Sequence, residues 1–326
     1  RTVEGLEGDG RRWRTVFGRM TRRLPRITED ILIPAVHVPR HPLDLARFGV
    51  AAGLPAHVLA TVWRDELARA LFAGVAAHAF RPFGTLASSA IGLTLGAAAH
   101  RYGWPVARGG SQAIAHAMIA ALTDLGGTVE TGIHVSSLDM LGDPDVVLLD
   151  VAPAAAAAIT ESRVPDRVAR ALRKYRHGPG VFKIDYAVDG GIPWQHEDSR
   201  SAGTVHVGGS LEEIAHSEAE ITRGRMPLHP FVLVGQQSVV DPSRSFGDVH
   251  PVYTYAHVPA GYSGDATAAV ESRIERFAPG FRDRILMRHI RSTPAKAVHN
   301  VNYVGGDIVT GANDARQLLL RPRPAL

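Results

Sequence analysis

WPVARGGSQAIAHAMIAALTDLGGTVETGIHVSSLDMLGDPDVVLLDVAP, residues 104–153, is the stretch whose reading decides the fold. Ile114, Met118, Ala121, Leu122 and Leu125 fall at helical spacing, which predicts a helix with one apolar face. Ser111 stands at its N-cap, where a hydroxyl accepts a bond from a free backbone N–H. Gly126-Gly127 ends it, because glycine takes the left-handed C-cap conformation without a Cβ penalty. Thr128–Thr131 then reads as a strand. Val146-Val147-Leu148-Leu149 reads as a short apolar strand of the kind a sheet buried on both faces requires. Together they predict part of a doubly wound α/β layer.

Upstream, Trp13, Val16, Phe17, Met20 and Leu24 share one helical face, with Arg12, Arg14, Arg19, Arg22 and Arg23 largely off it. Such a helix either packs on the body of the protein or lies on an anionic membrane, and an exposed face would make Trp13–Leu24 a peripheral membrane contact. Pro34–Pro42 is an extended connector. Pro55–Phe72 is predicted helical with Val58, Leu59, Val62, Leu67, Ala70 and Leu71 inward, and Ala73–His100 is a second helical run whose small residues permit close backbone approach.

Downstream the character changes. Val181–Val188 alternates with period two and signals a half-exposed strand, turned by Gly190-Gly191. Thr204–Val207, Phe231–Val240, Val252–Val258 and Ile285–Ile290 are further strands. Val164–Tyr175 and Ser263–Phe277 read as helices, and Ser210-x-x-Glu213 is a capping box opening another. Strands so closely spaced predict a mixed or antiparallel sheet in a second lobe.

Composition narrows the function classes. The chain has 326 residues, 45% of them hydrophobic and 21% charged, an ordinary globular balance. A net charge of +4 with 6% aromatics argues against nucleic-acid binding, which wants clustered basic residues among exposed rings. The absence of cysteine excludes disulfides, cysteine metal sites and thiol nucleophiles, and leaves a cytoplasmic location as the default expectation. No apolar run is long enough for a membrane span.

Pro105-x-x-x-Gly-Gly110 before the helix, Gly-Gly-x-Val after it, Val135-x-x-Leu138 and Asp145-Val-Val-Leu-Leu-Asp-x-Ala-Pro153 resemble the second FAD-domain segment of phytoene dehydrogenase-like flavoproteins, within the amine-oxidase and carotenoid-desaturase superfamily. Val205–Ile214, Tyr253-x-Tyr-Ala-His-Val-Pro259 and Gly305-Gly-Asp-Ile308 with Gly311 extend the resemblance. The N-terminal Gly-x-Gly-x-x-Gly and the C-terminal glycine-rich flavin segment of that family do not occur in this sequence, which opens on Arg1 and stops soon after Arg321-Pro322; the expectation is an internal fragment.

The resemblance implies a partial Rossmann-like FAD/NAD(P)-binding layer, a mixed-sheet substrate domain and a helical cap. Its divisions are a substrate-side cap at 1–103, an FAD-domain segment at 104–160, a substrate domain at 161–300 and a return to the FAD domain at 301–326. It further implies FAD as cofactor, with Val135 at the adenine, Pro153 near the adenosine half, and hydride transfer from an apolar, isoprenoid- or lipid-like substrate. The alternative class is a non-catalytic fragment or binding module that keeps an apolar cavity.

Several residues are candidates on their own chemistry. Gly109-Gly110 permits close backbone approach to a ligand or simply makes a tight turn. Tyr253, Tyr255 and His257 alternate and so project from one strand face, where Tyr255 and His257 are the candidate catalytic groups or part of an aromatic core. Gly109-Gly110-Ser111-Gln112-Ala113 is one substitution from a Gly-x-Ser-x-Gly nucleophile elbow, with Asp150 and His257 following in hydrolase order, while Ser111 serves equally as a helix N-cap. The sixteen histidines include no His-Glu-x-x-His, so no metal is expected.

Overall fold

The computed structural model describes residues 2–33, 37–314 and 317. Pro34 in the proline-rich connector and the Arg321-Pro322 end of the chain lie outside them. The longer helices of the first part are α1 (Gly10–Ile31), α2 (Pro42–Ala52), α3 (Glu66–Ala76), α4 (Ser89–Tyr102), α5 (Gln112–Asp124), α6 (Pro153–Thr160) and α7 (Asp166–Arg173). The second part runs β1 (Gly180–Asp189), β2 (Thr204–Val207), α8 (Leu211–Thr222), β3 (Val232–Gly235), β4 (Val249–Val258), α9 (Thr267–Glu275), β5 (Ile285–Arg291) and α10 (Thr293–His299). The fold is mixed α/β, and its five-stranded sheet has the order β2-β3-β4-β1-β5 with every pairing antiparallel.

In the helical part, α1 buries Trp13, Phe17, Met20, Leu24 and Ile27. Trp13 lies 4.6 Å from Phe17 and 5.1 Å from Trp63, ring centre to ring centre. Trp13, Phe17, Met20 and Leu24 of the apolar face are therefore packed in the protein's own core, with Val16 half-buried beside them. Helix α4 approaches closely through its glycines: a Cβ on Gly96 would stand 2.5 Å from the Phe17 ring. Gly96→Ala is expected to destabilise the protein by about 1 kcal/mol, overpacking outweighing the helix propensity gained. Urea unfolding checks this, and a stabilised variant would show that the ring stack yields.

The run from Pro55 to Phe72 is not one helix. It breaks at Trp63–Asp65, where the Arg64 and Asp65 amides each donate 2.7 Å bonds to the buried Asp9 carboxylate. Those bonds and Arg12 hold Asp9 below its ordinary pKa against the opposing effect of burial. The break resets the helical phase: α3 buries Ala68, Phe72 and Ala73, while Val58, Val62, Leu67 and Leu71 face out.

Residues 104–153 depart most from expectation. The helix forms as α5 and ends at Gly126, whose φ is +83°. No residue of α5 is buried, and neither 128–131 nor 146–149 forms a strand. A strand needs a hydrogen-bonding neighbour, and among the described residues the one sheet lies in the second part. Val146 and Leu148 stand 73% and 90% exposed as a result. Ser111 precedes α5, but its hydroxyl accepts no capping bond, since its own backbone is already helical (φ −62°, ψ −25°). Later elements also shift: β3 stops at Gly235, and α9 starts at Thr267, where Asp265 accepts from the Thr267 amide. Ser210 caps α8 through the Glu213 amide as expected, but the Glu213 carboxylate pairs with Arg273 and Arg276 instead of closing the box.

Candidate functional site

The alternation of β1 and β4 gives the sheet two unlike faces. Phe182, Ile184, Tyr186 and Val188 with Val252, Ala256 and Val258 form one core with α9. The other face carries Lys183 and Asp185 from β1 and Tyr253, Tyr255 and His257 from β4. Register sets Lys183 beside Tyr255 and Arg291, and Asp185 beside Tyr253 and His289. Leu233 and His206 continue this face on β3 and β2. Gly235 makes it flat, because a Cβ there would come within 2.1 Å of the Tyr253 ring.

The end of this face nearest the helices is closed by aromatic and imidazole groups. His257 is fully buried, its Nδ1 2.7 Å from Glu218 Oε1, and Glu218 is buried too. The His257 ring stacks on Phe80 at 3.9 Å and lies 4.9 Å from Phe231. Phe80 reaches that position in a left-handed backbone conformation, φ +52°, which a side chain seldom adopts without support from its surroundings. His257 Nε2 and Glu218 Oε2 have no hydrogen-bond partner.

Beside this pair, His78 and His206 meet at 3.0 Å between their Nε2 atoms, a distance at which one ring donates and the other accepts. The Tyr255 hydroxyl is 3.5 Å from His78 Nδ1. Burial, then the neighbouring His206 and His257, pull His78 down to about 3; burial and His257 pull His206 down to about 4. Burial raises Tyr255 and Tyr253 above the ordinary phenol value. At neutral pH His78 and His206 are thus uncharged and Tyr255 and Tyr253 are protonated, so this end of the face can exchange hydrogen bonds with a ligand while adding no charge of its own. A cleft of about 250 Å³ reaches His206 from the β2 edge, walled by Trp194, Val205 and Phe277.

The catalytic candidates fare differently. His257 is sealed from solvent and holds Glu218, which braces the junction of α8 and β4. Tyr255 is half-buried and belongs to the histidine group. Ser111 is exposed, and no contact brings it to His257 or to the exposed Asp150, so the hydrolase triad does not assemble. Among the described residues no group of three or more His, Asp or Glu is arranged to hold a metal ion.

Of the residues assigned to FAD by resemblance, Gly109 and Gly110 pack on the β3–β4 connection. The Gly109 N–H donates to Asp241 at 2.8 Å, and its carbonyl accepts from Arg244 at 2.8 Å. A Cβ on Gly110 would lie 2.6 Å from the Arg244 guanidinium. This Gly-Gly turn therefore clasps the β3–β4 connection. Val135 sits in irregular, half-exposed backbone. Pro153 occupies the first turn of α6, and the adjacent Ala152 N–H is already taken by Asn302 at 2.7 Å.

His78, His206, Phe80 and Glu218 were not singled out from the sequence. The Thr204–Val207 alternation carried a usable signal for His206; the others are brought in by packing. No family model matches the sequence, and no curated protein matches it.

Proposed function

We propose that this chain is the substrate-side lobe, with part of the FAD lobe, of a phytoene dehydrogenase-like oxidoreductase acting on an apolar, isoprenoid- or lipid-like substrate. The observation that carries this reading is the uncovered α/β stretch: Ile114, Met118, Leu125, Val146 and Leu148 all stand open to solvent. Apolar side chains patterned for an α/β layer and left without one call for a covering segment, which in the resembled family is the phosphate-gripping half of the dinucleotide fold. A hydride-accepting flavin would supply the difficult chemistry, so the protein need offer no strong acid or base. The neutral His78–His206–Tyr255 group is consistent with that division of labour.

A second reading has its own observation. The adenine-side strands are unformed, and Gly109 and Gly110 are committed to Asp241 and Arg244. That favours a binding module that keeps a ligand face without flavin.

The polypeptide carrying this sequence, isolated from its native host, is expected to be yellow and to release fluorescent flavin on heating. Protein that is colourless and stays so after incubation with FAD would overturn the flavin reading in favour of the binding module.

A further inference from the structure

Lysine is scarce in this chain. Of 36 basic residues, Lys174, Lys183 and Lys296 alone are lysines. Two of the three converge on the charged end of the sheet face described above. Lys183 projects from β1 directly opposite Arg291 of β5, and Lys296 follows on α10, five residues beyond Arg291.

Lys296 is 6% exposed, yet no carboxylate lies within ion-pair distance of it among the described residues. Its ammonium is 6.0 Å from the Tyr303 ring and is repelled by Lys183 and Arg291, with Asp185 the one opposing charge. Asp185 is already paired with Lys183. The three cations thus face a single carboxylate. His289, across from Asp185, is exposed and completes the titratable groups on this patch. A buried cation beside like charges is destabilising until a counter-ion completes the set.

The geometry points to Lys183, Arg291 and Lys296 as a binding site for an oxyanion, the carboxylate or phosphate at one end of a ligand whose remainder lies along Tyr253. Tyr253 lies flat against Gly235, with the Lys183 ammonium 5.8 Å from its ring, so an apolar body next to the anionic end has a surface to rest on. Burial first, and then Lys183 and Arg291, lower Lys296 to about 8, the response expected of an ammonium lacking its counter-ion. A lysine amine shifts in this way where an arginine would stay charged. The site does not depend on flavin and is measured without it.

The test is limited acetylation of the intact protein by acetic anhydride near pH 8, read peptide by peptide by mass spectrometry. Exposed Lys174 is the internal reference. The probes are decanoate, inorganic phosphate, decanol as the uncharged match, and sodium chloride at equal ionic strength. With an anion at roughly ten times its Kd, acetylation of Lys183 and Lys296 is expected to slow about tenfold with Lys174 unchanged. Protection by decanoate alone identifies a carboxylate-ended ligand, by phosphate alone a phosphate-ended one, and by both a site that reads the anion. Lys296→Met should weaken anion protection of Lys183 about tenfold; should that variant not fold, Lys183→Met read at Lys296 serves equally. Decanol protecting as well as decanoate, or protection no greater than that by sodium chloride, would overturn the proposal.

Discussion

Glu218→Ala is expected to destabilise the protein by about 3–5 kcal/mol, the range for breaking a buried, hydrogen-bonded pair from one side. The cost arises at His257. Its Nδ1 loses the 2.7 Å partner, and its Nε2 has none to begin with, so a fully buried imidazole is left with no hydrogen bond. The effect reaches beyond the pair because three elements meet there. Glu218 comes from α8, His257 from β4, and Phe80, stacked on the imidazole, from the turn after α3. Glu218→Gln retains an acceptor oxygen and should cost about 1 kcal/mol. Urea unfolding followed by circular dichroism separates the two variants. Equal and small losses for both would show that helices and sheet are not joined through this pair.

The antiparallel sheet was legible because its signals are local. Val181–Val188 alternates along one strand, Gly190-Gly191 turns it, and the Ser210 cap needs only the Glu213 amide three residues on. The strands expected at 128–131 and 146–149 depend on neighbours, and an apolar run says nothing of whether a neighbour is there. The broken helix at Trp63–Asp65 was hidden for the same reason: Asp9, which captures the Arg64 and Asp65 amides, is more than fifty residues away. That one distant carboxylate also explains why Leu67 and Leu71 were assigned inward while Ala68 and Phe72 are buried.

The site divides along the same line. Tyr255 and His257 were visible from alternation on β4, but their roles were not. His78 meets His206 across 128 residues, and Glu218 meets His257 across 39, through packing that no spacing rule encodes. The double glycine at Gly109-Gly110 was legible as a turn. Its partners Asp241 and Arg244, more than 130 residues on, were not.

Acidification is expected to weaken the fold well above the pH at which carboxylates matter, and the histidine group is the cause. In the unfolded chain His78 and His206 return to ordinary values near 6.5, whereas the folded protein holds them at about 3 and about 4. The unfolded state therefore binds more protons throughout that interval. Stability from these two groups is complete above pH ~6.5 and drains away as pH falls toward the folded values. Between pH 7 and 5 each histidine would contribute about 2 kcal/mol of loss, and screening of their partly exposed edges brings the pair to about 3 kcal/mol. His100, lowered mainly by burial, acts in the same direction. Asp9, Asp30 and Glu213, all held below their ordinary values, withdraw their own contributions only when pH falls below roughly 4, so the two causes occupy separate windows. Urea midpoints measured from pH 7.5 to 4.5 for the wild type and for a His78→Leu, His206→Leu double variant decide the matter. The wild type should lose stability steeply through pH 6 to 5 while the double variant stays nearly flat. Parallel slopes would mean that the two rings are hydrated and free to ionise, and the uncharged histidine group inferred for the site would go with them.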